Sequence, residues 1–73
     1  MKKVIVVEGM DNMPMGSAVS RILEGMSGVD KVILNLEEKS IIVEYVRGVL
    51  TEDELCDAIN EEGFEVIEIF EEG

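Results

Sequence analysis

Ile41-Ile42-Val43-Glu44-Tyr45-Val46 is a β-branched run that reproduces an earlier one, Ile5-Val6-Val7-Glu8. Residues of this type suit the pleated surface of a sheet, so each run reads as a strand, the first from about Lys3 to Glu8. Each is followed about twenty residues later by a glycine that closes a helix, Gly28 in the first half and Gly63 in the second. Two halves that echo each other within one short chain predict a duplicated strand–helix–strand unit.

The residues between these runs agree with that reading. Met15, Ala18, Val19, Ile22, Leu23 and Met26 recur at i, i+3, i+4, i+7, i+8 and i+11, which places them on one helical stripe. Pro14 falls in the first turn, where its missing N–H costs nothing. Ser27-Gly28 is expected to end this helix. From Val29 to Leu36 the period changes to two, with Val32, Leu34 and Leu36 on one face and Ile33 and Asn35 on the other. Glu37-Glu38-Lys39-Ser40 is a short polar connection, so the strand it leaves and the run at Ile41 are expected to pair antiparallel. The second helix begins at the clearest local signal in the chain. Thr51 and Glu54 have the spacing of a capping box, Leu50 and Leu55 that of a hydrophobic staple, and Leu55, Ala58 and Ile59 supply a buried stripe. Phe64 to Phe70 alternates with Glu and reads as a last strand, followed by a solvated tail, Glu71-Glu72-Gly73.

Strand, helix, strand, strand, helix, strand with right-handed crossovers gives a four-stranded antiparallel sheet in the order 4-1-3-2, with two helices on one face. The expected class is therefore α+β, a ferredoxin-like βαββαβ sandwich, with residues 1–73 as a single domain. A chain of 73 residues buries only about 60% of its unfolded surface, so its core has to be economical. Apolar residues form 47% of it and fall in short periodic runs, which argues for a globule over an acidic disordered tail.

Seventeen Asp and Glu against six Lys and Arg leave a net charge of −11. That field repels phosphate backbones and anionic lipid, so neither nucleic acid nor a membrane is an expected partner, whereas a basic protein surface or a cation is attracted. The alternative is an acidic surface that serves solubility alone. Met1-Lys2-Lys3 begins like an export signal, but the apolar run behind it stops at Glu8. The single Cys56 excludes an intrachain disulfide and points to a reducing, cytoplasmic location. It has no Lys, Arg or His neighbour to lower its pKa and reads as an unreactive thiol. With no His and no paired nucleophile and base, the chain shows no catalytic constellation and is expected not to be an enzyme. A phosphate-handling enzyme on the same topology needs a loop Arg, and here the loop is acidic.

The candidate site is Gly9-Met10-Asp11-Asn12-Met13-Pro14-Met15, which turns out of the first strand into the first helix. Asp11 or Asn12 is placed to cap that helix, and three methionines gather where a loop is ordinarily polar. Glu8-Gly9-Met10, then Gly28-Val29, then Val32, Leu34 and Leu36, then Leu55, Ala58-Ile59 and Gly63-Phe64 resemble the heavy-metal-associated domain family, the soft-metal modules of copper chaperones and metal-transporting ATPases. The resemblance implies an M-x-C-x-x-C loop in which two thiolates hold a soft cation such as Cu(I). Met10 matches the Met of that motif, but Asn12 and Met15 stand where the two cysteines belong. It therefore implies a degenerate loop that binds metal weakly or not at all. Met10, Met13 and Met15, with Asn12, are the candidate ligands for Cu(I) or another soft ion, since thioethers suit such ions and lose no proton on binding. In the alternative, Met10 and Met15 fill the core, Met13 is simply exposed and the polar residues cap the helix.

A second feature is the face of the sheet away from the helices. With Ile5 and Val7 turned inward, Val4 and Val6 face outward, expected to be joined by Ile33, Ile42 and Val46, and by Ile67 and Ile69. An apolar patch of this kind marks a contact surface, here for a homodimer or a partner domain, unless it reflects β-propensity alone. This supports an alternative role as a protein-interaction or regulatory module.

Overall fold

The computed structural model describes residues 1–72, so Gly73 of the expected tail lies outside the described residues. The elements follow the expected sequence: β1 (Lys2–Glu8), α1 (Met13–Glu24), β2 (Val29–Asn35), β3 (Ser40–Tyr45), α2 (Glu52–Glu61) and β4 (Glu65–Glu71). The four strands form one sheet in the order β2-β3-β1-β4, and β1 pairs antiparallel with both β3 and β4, as β3 does with β2. This is the expected order read from the other edge, and the fold is the ferredoxin-like α+β sandwich. No helix among the described residues is long and apolar enough to cross a membrane.

The alternation expected of the two echoing runs decides what is inside. Ile5 and Val7 of β1 and Ile41, Val43 and Tyr45 of β3 are buried beneath Val19 and Leu23 of α1 and Leu55 and Ile59 of α2. Each fully buried aliphatic side chain contributes about 1.5–3 kcal/mol, which is how an interior with few aromatics holds the sandwich together. Leu50 and Leu55 are both in the core, as the staple requires. The Thr51 cap is present, with Glu54 N–H donating to Thr51 Oγ1 at 3.3 Å. Its return bond differs from the usual capping box: the Thr51 hydroxyl itself donates to Glu54 Oε1, at 3.2 Å.

Four expectations need correction. The first helix ends at Glu24, before Ser27-Gly28: Gly25 is its C-cap, and the next N–H, that of Met26, leaves the i−4 ladder and bonds Leu23 O three residues back at 3.1 Å. Its inward stripe is also rotated: Gly16 is buried and Met15 is 41% exposed. A Cβ at Gly16 would stand 2.8 Å from Leu34 Cδ2, so the missing side chain is what lets α1 approach β2. The third correction is Val46, which lies beyond the end of β3 and gives its N–H to Gly28 O at 2.8 Å. The fourth concerns β4. The β1–β4 register shifts between Val6 and Val7, with Val7 opposite Val66 and Val6 opposite Glu68. That bulge leaves Ile67 without a partner and reverses the parity beyond it. Ile69, opposite Ile5, therefore packs against the core, and Phe70, opposite Val4, takes the outward position expected of Ile69.

Candidate functional site

The loop between β1 and α1 is fixed at both ends by its own sequence. Gly9 has φ +99° where β1 stops, and a Cβ there would meet the Phe64 ring at 3.3 Å, so this position combines an unusual backbone angle with a close approach. Phe64, immediately before β4, is half-buried against the core and closes the sandwich beneath the loop. Met10 then drops into the interior and is completely buried. At the other end Asn12 is the N-cap of α1, its Oδ1 accepting from the Met15 N–H at 3.1 Å. Of the two expected caps, Asn12 serves, and Asp11 is left free for another contact.

That contact is Lys39, whose Nζ lies 2.9 Å from Asp11 Oδ1. The β2–β3 turn reaches the loop because β2 and β1 run the same way, which brings the end of β2 level with the end of β1. Lys39 O also accepts the Val7 N–H, at 3.0 Å. Both partners of the ion pair are more than half exposed, so it is worth at most about 1 kcal/mol, but it ties the loop carboxylate to the β2–β3 turn. An open cleft of about 590 Å³ runs from here along Glu8, Gly9, Val6, Glu38 and Ile67. Sequence reasoning did not find Lys39. The signal for it was the single cation in the turn Glu37-Glu38-Lys39-Ser40, together with the topology that brings this turn to the loop.

The candidate ligands are therefore placed differently from one another. Met10 is inside the core, Met13 and Met15 are exposed at 58% and 41%, and the Asn12 oxygen is engaged in capping. Met13 and Met15 bracket Pro14 in the first turn of α1, at the positive end of the helix dipole, where Pro14 has no N–H to offer and that of Met15 is taken by the Asn12 cap. No acidic residue stands in that turn. Among the described residues no three His, Cys, Asp or Glu side chains come together as a metal site. Cys56 lies on α2, a different element from the loop, and is half-buried; burial pushes its thiol pKa up, and Asp53, Glu52 and Asp57 push it further. Both effects disfavour the thiolate, the form that reacts as a nucleophile.

Of the residues expected on the open face of the sheet, Val4, Val6 and Ile42 are half-buried, while Ile33 and Val46 are exposed at 39% and 43%.

No protein-family model matches the chain. The copper chaperone CopZ of Staphylococcus epidermidis is 35% identical over 65 residues, covering 89% of this chain and 96% of that protein. Among solved structures, a CopZ metallochaperone is 30% identical and covers 92% of this chain and 100% of its own, with a TM-score of 0.87. A copper-binding domain from HMA7, a P-type ATPase, is 28% identical, covers 100% of both chains and has a TM-score of 0.90.

Proposed function

From a chain that belongs to the heavy-metal-associated domain family, we propose a non-catalytic binding module whose soft-metal loop has lost its anionic ligands and holds metal weakly or not at all. The observation that carries this is the state of Asn12. It occupies the first ligand position of the family's motif, and its only side-chain acceptor is turned into the helix to cap Met15 N–H. Met15, at the second ligand position, offers a neutral thioether. A thiolate pair neutralises both the incoming cation and the helix terminus, whereas here the first turn of α1 holds no acidic residue and the loop's one carboxylate, Asp11, is already paired with Lys39 at 2.9 Å. The donor set does not fit a tightly held Cu(I).

Titration with Cu(I) under anaerobic, reducing conditions against a competing chelator tests this. The expected result is that the chelator keeps the metal. Retention by the protein that disappears on Met10→Ala or Met15→Ala would overturn the proposal and establish a thioether site.

The second reading, an interaction or regulatory module that keeps the scaffold, is favoured by the net charge of −11 and by Ile33 and Phe70, large apolar side chains exposed on the open face. A basic protein surface is the partner the charge favours. It predicts no metal retention either, and is distinguished by association that persists in the presence of a chelator.

A further inference from the structure

The strand registers arrange the open face of the sheet in rows that cross all four strands. One row, in the order β2-β3-β1-β4, is Ile33, Ile42, Val4 and Phe70. The next row toward the start of β1 is Lys31, Glu44 and Lys2, continued by Glu72, whose N–H donates to Lys2 O at 3.2 Å. Its signs alternate, plus, minus, plus, minus. On the other side of the apolar row stand Asn35, Ser40, Val6 and Glu68.

An alternating row over an even number of strands has a geometric property. Rotation by 180° about an axis lying along the strands, between β3 and β1, carries β2 onto β4 and β3 onto β1. Every position in the charged row then meets its opposite: Lys31 the partner's Glu72, and Glu44 the partner's Lys2. The same rotation sets Ile33 against the partner's Phe70 and Ile42 against the partner's Val4. Asn35 meets the partner's Glu68, and because the Asn35 Oδ1 already accepts the Glu38 N–H, its amide donors remain to face that carboxylate. We propose that a second copy of this chain covers the open face, sheet against sheet, related by this two-fold axis.

The occupant follows from charge. Two chains of net charge −11 repel at long range, so a like copy is the least favoured partner unless the contact surface itself is self-complementary. This row is self-complementary, and an isologous two-fold contact uses each opposed pair twice. Aligned sheets pack about 10 Å apart with strands within about 30°, which keeps the rows in register over one sheet width. Four strands spaced by about 4.8 Å, each six or seven residues long, give a face of about 400 Å², or about 800 Å² over both copies. That is below the size of stable interfaces, so the dimer is weak and reversible, with a dissociation constant of about 0.1–1 mM. The inference takes up the interaction reading at this face and does not depend on the state of the loop.

Sedimentation equilibrium of the chain from about 10 μM to about 1 mM, with a chelator to exclude metal bridging and a reductant to exclude a Cys56 disulfide, reads it directly. The expected result is a monomer–dimer equilibrium weakened at least about tenfold by Ile33→Glu and by either Glu44→Lys or Lys2→Glu alone. An equimolar mixture of Glu44→Lys and Lys2→Glu is expected to associate again, because each charge then meets its opposite across the axis, although neither variant does so alone. Circular dichroism confirms that each variant is folded. If either is not, Lys31→Glu mixed with Glu72→Lys applies the same test to the outer pair. A monomer at every concentration, association indifferent to Ile33→Glu, or a mixture of folded variants that stays monomeric overturns the proposal. Each of these outcomes leaves the metal titration unaffected, so the two readings fail separately.

Discussion

The two helices begin in opposite electrostatic states. α2 starts with the Thr51 cap followed by Glu52, Asp53 and Glu54, three carboxylates set against the positive end of its dipole. α1 starts with the Asn12 cap followed by Met13, Pro14 and Met15, with no acidic residue in its first turn. Both ends are capped by a side-chain oxygen, so local backbone satisfaction does not distinguish them. What differs is charge: the first turn of α2 carries three carboxylates and the first turn of α1 carries none. The proposed reading of the α1 loop as a former ligand site accounts for this difference in what compensates the two dipoles.

The largest effect that tests this contrast is a gain. Asn12→Cys combined with Met15→Cys is expected to raise Cu(I) affinity by at least about four orders of magnitude in the chelator competition, given the energies that thiolate sites supply. No change in retention would mean that the loop lacks the geometry as well as the ligands. Next in size is the division among the methionines. Met10→Ala removes a completely buried side chain and is expected to cost about 2–5 kcal/mol in denaturant unfolding. Met13→Ala and Met15→Ala, at exposed positions, should stay within about 0.5 kcal/mol.

A smaller effect bears directly on the dipole. Asn12→Asp keeps a capping oxygen and adds the missing negative charge, and is expected to stabilise the protein by about 0.3–1 kcal/mol at neutral pH and low salt. The gain should vanish in thermal melts as pH falls and the carboxylate protonates, and as added salt screens it. The smallest effect is at α2, whose first turn reaches across to β1. Lys3 Nζ lies 3.0 Å from Glu52 Oε2, and that hydrogen bond, ahead of the nearby carboxylates of Glu52 and Glu71, raises the Lys3 pKa above its ordinary value of 10.5. A raised pKa means that the folded state holds the proton more tightly, so the contribution is complete below pH 10.5 and is lost as pH rises through the folded-state value. Melts at alkaline pH should show this loss in the parent chain and less of it in Lys3→Met.

How much of this was legible in the sequence depended on the range of the interaction. The echo of Ile5-Val6-Val7-Glu8 in Ile41-Ile42-Val43-Glu44 gave the strand order, because alternation and duplication are properties of contiguous residues. The Thr51 cap and the Leu50–Leu55 staple were equally local. Met15 was misplaced because hydrophobic spacing counts a glycine as neutral, whereas Gly16 turned inward to let Leu34 come close. Ile69 and Phe70 exchanged faces because a bulge depends on two strands at once, and nothing within Phe64–Phe70 announces it. That Asn12 and Met15 stand where the resembled motif has cysteines was visible from the sequence. Where the Asn12 oxygen points, and that Lys39 stands beside Asp11, required the folded arrangement.

Burial of Met10 has one further consequence. A loop pinned from within by a hydrophobic plug keeps its course whatever chemistry is written on its outer positions. Substitutions at Asn12, Met13 and Met15 can therefore change what the loop presents to its surroundings while its backbone stays where Met10 holds it.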